Sequence, residues 1–181
     1  MQETSVNSLL NQKKSTKSAL AKDLHFSKKA PLLAIILDKD LSKQYKELVT
    51  AFLKGAPALN MEVVILADKA LNISKNFEVK NLPYNRQNRK VLLEAADMSL
   101  AFPFNDVEEM LINGVIPVSL KRGEVQNYNP NEETGNSFIY EQSDPWHLFA
   151  ALVRARETFK FPYDWKHIVR EGVGSVMKVG K

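Results

Sequence analysis

Residues 32–37 read LLAIIL and residues 62–67 read EVVILA. Each is a short apolar run rich in branched side chains and bounded by polar or turn-forming residues. That is the pattern of a strand buried on both faces of a sheet. The stretch between them, SKQYKELVTAFL at 42–53, places Tyr45, Leu48, Val49 and Phe52 at helical spacing, and Gly55 and Pro57 stop it. Strand, amphipathic helix, strand is a βαβ unit, and its crossover is expected to be right-handed. These residues set the fold class: an α/β, Rossmann-like, three-layer domain with a mainly parallel sheet.

The same alternation continues downstream. A weaker strand is expected at Phe77–Leu82, a helix at Arg89–Ala96, a strand at Met98–Phe102 and a helix at Val107–Asn113, with Gly114 just past its end. Strands follow at Val115–Leu120 and Ser137–Glu141, separated by the turn-forming loop NYNPNEETGN. Asp144 and Pro145 open a helix through WHLFAALVRARETF, and Tyr163–Arg170 forms the last one. Upstream, Ser15 or Thr16 caps a short helix, KSALAKDL. The expected division is a flexible segment at 1–14, one domain at 15–172 and a loose tail at 173–181.

The 181 residues suffice for one ordinary core. No run approaches the roughly 18 apolar residues of a membrane span, and MQETSVNSLL has no signal-peptide character. Without cysteine, disulfides, thiolate metal sites and cysteine nucleophiles are excluded. A cytoplasmic protein without a membrane partner fits these features. The net charge is +4, and Lys13, Lys14, Lys17, Lys22, Lys28 and Lys29 crowd the N-terminal segment. They read as the solvated face of a first helix rather than a polyanion-binding arm, because no aromatic residue is interleaved to stack bases. No nucleic-acid partner is expected.

Ligands of open parallel sheets bind beyond the carboxyl ends of the strands, where the strand order reverses. Those ends fall at Asp38–Asp40, Ala67–Asp68, Phe102–Asp106 and Leu120–Glu124. There is neither a GxGxxG fingerprint nor a P-loop, and no HExxH metal pair. No cofactor, no metal ligand and no catalytic residue is assigned. Glu108 and Glu109 follow Asp106 at a helix start, where the helix dipole favours carboxylates. Lys121, Arg122 and Gly123 follow a strand, where backbone N–H groups and positive charge suit a phosphate. His147 lies in the first turn of its helix and reads as exposed or capping.

Over residues 11–172 the chain resembles the C-terminal, nucleotide-sugar-binding domain of bacterial glycogen synthases and plant starch synthases. The segments carrying the likeness are EAAD at 94–97 before a strand, MLINGVIPV at 110–118, VQNYNP at 125–130, and ETGNSFIYEQSDPWHLFAALVRA at 133–155. They occur in the family's order. The likeness implies one half of a GT-B fold, which grips ADP-glucose or UDP-glucose while another half supplies the acceptor site. Glucose then passes to an α-1,4-glucan with retention of configuration and without a metal.

Matched position by position, the likeness puts Lys39 where the family has a diphosphate-binding Arg, with Lys43 one place from the matching Lys position. Gln44 stands at that Lys position and Tyr45 at a Gly. Glu109 matches the second carboxylate of a pair whose first falls on Ala101, and Lys121, Arg122, Gly123 and Glu124 replace a Gly-rich turn. The donor-binding set is therefore Lys39, Lys43, Glu109, Lys121, Arg122 and Gly123. The expected function is the donor half of a glucosyl transfer, inactive alone, working with a separate acceptor-half protein or within a longer synthase. The alternative is a non-catalytic domain that binds a nucleotide, a glucan or a protein partner, a homodimer included. Phe102, Pro103 and Phe104 are expected to form an apolar patch at the strand ends.

Overall fold

A computed structural model describes residues 3–39, 41–68 and 79–179. The elements are α1 (Glu3–Leu24), β1 (Leu32–Leu37), α2 (Lys43–Gly55), β2 (Glu62–Ala67), β3 (Lys80–Pro83), α3 (Arg86–Ala95), β4 (Met98–Ala101), α4 (Val107–Ile112), β5 (Ile116–Ser119), β6 (Phe138–Ile139), α5 (Pro145–Phe159) and α6 (Pro162–Val179). The strands form one sheet in the order β3-β2-β1-β4-β5-β6, and every pair is parallel. The order reverses between β1 and β4, so a crevice at their carboxyl ends is the expected ligand position.

Alternation within the strands explains the layers. Leu33, Ile35, Val63, Ile65, Met98 and Leu100 face one side, where they meet Leu48, Val49 and Phe52 of α2 and Leu148, Ala151 and Leu152 of α5. Leu32, Ala34, Ile36, Val64 and Leu66 face the other, against Leu20 of α1, Leu92 and Leu93 of α3 and Met110 and Leu111 of α4. All six residues of β1 are buried, as LLAIIL requires. At the edge, β3 is half exposed; the Phe77 and Glu78 part of its expected span lies outside the described residues. Two glycines have positions that other residues would strain. Gly114 follows α4 at φ +65°, and Gly135 sits at φ +99° with a Cβ position only 2.4 Å from the Asn127 carbonyl oxygen.

Three expectations about the ends of the chain are corrected. The first helix begins at Glu3, not at Ser15 or Thr16, because Val6 joins the core and Leu9 and Leu10 pack against it. The last helix continues through GVGSVMKV to Val179. There Gly172 faces Leu111 and Val173 is buried, so packing overrides the low helix propensity of two glycines. The N-terminal lysines are not all solvated: Lys13 and Lys17, one turn apart on α1, are 5% and 6% exposed.

Those two lysines bind the amino-terminal edge of the sheet. Lys13 Nζ donates to the carbonyls of Leu93 (3.1 Å) and Asn113 (2.9 Å), at the carboxyl ends of α3 and α4. One ammonium thereby serves orphan carbonyls at the negative ends of two helices. Lys17 Nζ donates to the Ala30 carbonyl and to Asp97 Oδ2, both at 2.6 Å. The same Asp97 oxygen accepts the Leu32 N–H at 2.8 Å, and the Asp97 N–H donates to the Leu32 carbonyl at 3.0 Å. Asp97, the last residue of EAAD, thus locks the start of β1 to the approach of β4.

Candidate functional site

The carboxyl ends of β1 and β4 are joined below the crevice by a residue the sequence reading passed over. Asn105 is 3% exposed. Its Nδ2 donates to the Ile36 carbonyl at 3.1 Å, and its Oδ1 accepts the Phe102 N–H at 2.8 Å. Its signal in the sequence is faint, an Asn directly before the capping residue Asp106. Asp106 in turn accepts the Glu109 N–H at 2.9 Å and starts α4.

Phe102 is 1% exposed and therefore is not part of an exposed apolar patch. Its ring lies edge-on to Tyr45, centroids 5.3 Å apart, and stacks on the half-buried Phe104 at 5.6 Å. Only Pro103 of the three is exposed. The turn has folded its aromatic residues inward, which leaves polar groups to define the rim.

Glu109, in the first turn of α4, is ion-paired with Arg89 in the first turn of α3. The hydrogen bond from Arg89 to Glu109 holds the guanidinium pKa above its ordinary value, with smaller contributions from Tyr84 and Asp38. Asp38, directly after β1, has Oδ1 buried with no hydrogen-bond partner. Arg89 is thus paired with Glu109 and within electrostatic reach of Asp38 near the crevice. Arg89 was not foreseen; NRQNRK at 85–90 reads simply as a polar helix start.

After β5, Lys121, Arg122 and Glu124 line a shallow hollow of ≈ 390 Å³ together with Pro103, Leu120 and Tyr140. Arg122 donates to both Glu124 oxygens, at 3.2 and 2.9 Å, and to the Asn105 carbonyl at 3.2 Å. Its hydrogen bonds hold the Glu124 carboxyl below the usual range. Burial pushes the Tyr140 hydroxyl upward, with Tyr45 adding to the shift, so Tyr140 stays neutral. Lys121 is exposed, and a Cβ on Gly123 would meet open space, so packing does not demand glycine there.

Lys39 is exposed just past β1, and Lys43 is exposed at the start of α2, 3.9 Å from Glu47. Neither lines the hollow that holds Lys121 and Arg122. The six residues expected to bind a donor therefore lie along one sheet edge but in separate groups: Lys39 and Lys43 after β1, Glu109 with Arg89, and Lys121 to Gly123 after β5. His147 serves the cap of α5: its backbone N–H and ring Nδ1 both contact Asp144. Among the described residues no group of three His, Asp or Glu is placed to hold a metal ion, and no helix is long and apolar enough to cross a membrane.

Comparison with known proteins fits this geometry. No family model matches the chain. The glycogen synthase of Gloeobacter violaceus is 33% identical over 64 residues, a stretch covering 33% of this chain and 14% of that protein. Among solved structures, the C-terminal domain of a glycosyl transferase group 1 family protein (LpcC) from Francisella tularensis superposes with a TM-score of 0.55 at 14% identity, covering 91% of this chain and 93% of that one. The chain has the fold of a GT-B C-terminal domain. Its sequence is divergent, and its similarity to a glycogen synthase is confined to part of its length.

Proposed function

We propose that this domain is the donor half of a glycosyl transfer: it binds a nucleotide-sugar, ADP-glucose or UDP-glucose, at the carboxyl edge of the sheet and transfers no sugar by itself. The observation that carries the reading is the switch between β1 and β4, with Arg89 and Glu109 beside it and Lys39, Lys121 and Arg122 along the same edge. Positive groups at such an edge suit a diphosphate, which needs charge compensation as the bond to the sugar breaks. A GT-B cleft orients donor and acceptor between two halves, and orientation supplies much of the rate. One half alone lacks that.

A second reading, a non-catalytic binding domain, is favoured by one feature. The edge satisfies its own charges: Arg122 is held by Glu124, Glu109 by Arg89, and the Tyr45 ring fills space against Phe102. Titration of the isotopically labelled chain with ADP-glucose and UDP-glucose separates the two. The donor reading expects saturable amide shifts at Lys39, Glu109 and Lys121. Their absence at millimolar ligand favours the second reading; glucosyl transfer by the purified chain alone rules out the second reading and also the proposed inactivity of the domain by itself.

A further inference from the structure

The geometry points to a second ligand site, for a small organic phosphate, in the cavity between α1 and the α5–α6 junction at the amino-terminal edge of the sheet. This inference does not depend on the donor reading, because the cavity lies at the opposite edge from the crevice.

The cavity has a volume of ≈ 370 Å³, and Lys13, Lys14, Lys17, Lys28 and Lys29 line it against one carboxylate, Asp97. That volume falls within the ordinary range for small-molecule sites, about 300–1,000 Å³. Five lysines against one carboxylate leave a positive excess around a confined, mostly apolar space, where field lines concentrate and an anion is drawn in. The lysines come from two segments, α1 and the loop before β1, and converge on one hollow.

Donor accounting shows what remains for a ligand. An ammonium carries three N–H groups. Lys13 uses two on helix-end carbonyls, and Lys17 uses two on the Ala30 carbonyl and Asp97. Each has one donor left, held in place by the other two. Lys14, Lys28 and Lys29 are exposed at the mouth and form no ion pair among the described residues. Two buried, anchored lysines and three exposed ones around one hollow suit a phosphate that enters from solvent.

The other wall sets the rest of the ligand. Phe159 and Trp165 meet edge-on, centroids 5.1 Å apart, and both line the cavity. Lys17 Nζ stands 5.3 Å from the Phe159 centroid, so that ring also meets a cation. A bare inorganic anion leaves this apolar wall unused. A phosphomonoester carrying a flat or apolar ring fills it. A polyanionic chain would need a track of charge along the surface, whereas these lysines surround a single hollow.

The test is an NMR titration of the labelled full chain with phenyl phosphate, inorganic phosphate and phenol. The expected result is saturable shifts from phenyl phosphate at the Lys13, Lys28 and Lys29 amides and the Trp165 indole, with binding at least about tenfold tighter than that of inorganic phosphate and none from phenol. Combining Lys14→Ala, Lys28→Ala and Lys29→Ala removes only exposed side chains and spares the buried pair. It is expected to weaken binding by at least about tenfold while thermal unfolding is unchanged. The proposal is overturned by the lack of saturation up to about 10 mM, by shifts confined to the carboxyl edge, by equal affinity for inorganic and phenyl phosphate, or by undiminished binding in the triple variant.

Discussion

The two edges of the sheet use charge in opposite ways. At the amino-terminal edge, charged groups are buried and tie elements together: Lys17 and Asp97 have side-chain exposures of 7% and 13%, and Lys13 spans two helix ends. At the carboxyl edge, Lys39, Lys43 and Lys121 point into solvent, and Arg89–Glu109 and Arg122–Glu124 are partly exposed pairs. A buried pair is costly to break, because the survivor is left charged and unsatisfied. An exposed pair contributes little. The fold therefore depends on one edge and leaves the other open to change, which fits a domain whose architecture matches GT-B structures while its sequence has diverged.

The sharpest way to break this contrast is Asp97→Ala. It leaves Lys17 Nζ and the Leu32 N–H without their shared acceptor. Loss of one member of a buried pair predicts a destabilisation of about 3–5 kcal/mol in urea unfolding. A loss under about 1 kcal/mol, the range of a surface pair, would erase the distinction between the edges.

Lys13 gives the next effect, and it depends on pH. Burial lowers its pKa from 10.5 to about 8, Asp97 and Glu94 oppose the shift, and Lys17 adds to it. Between those values the unfolded chain binds the proton and the folded chain does not, so stability rises with pH across that window. The full gain is on the order of 3 kcal/mol. Below pH 8 the buried charge is a standing cost. Unfolding free energies of the native chain and of Lys13→Met, measured from pH 7 to 10.5, should diverge over this range; parallel curves would remove Lys13 as the cause.

Smaller effects are expected at the carboxyl edge. Glu124→Gln frees Arg122 from its carboxylate and should change stability by no more than about 1 kcal/mol. Under the donor reading it should tighten ADP-glucose or UDP-glucose binding several-fold in the same NMR titration, and unchanged affinity would take Arg122 out of the site. Lys39→Ala and Lys121→Ala are expected to shift stability by about 0.5 kcal/mol at most, read as a change in Tm.

The layers were legible in the sequence because burial writes itself as periodicity. LLAIIL and EVVILA become β1 and β2 over the expected residues, and Asp144–Pro145 begins α5 as expected. The long first helix was not legible, since its start, ETSVNSLLNQKK, is polar and only Val6, Leu9 and Leu10 reach the core. Lysines look solvated in a sequence whatever becomes of them; apart from the Ala30 carbonyl, the partners of Lys13 and Lys17 lie 80 and 100 residues away. For the same reason the sequence named Glu109 and Arg122 but not the partners that hold them. Glu124 was visible only as a departure from a Gly-rich turn, and Arg89 gave no signal beyond a polar helix.

The span from Lys13 to Asn113 also has a meaning in time. A chain made from its N-terminus at about 5–20 residues per second exposes α1 some 5–20 s before the last carbonyl that Lys13 grips has been synthesised. For most of that interval the two inward lysines of α1 have no native acceptors on α3, α4 or Asp97, since Leu93 and Asp97 follow Lys13 and Lys17 by 80 residues and Asn113 follows Lys13 by 100. Although α1 emerges before α3 and α4, it is fastened only after them, and its docking reports that the middle of the sheet is in place.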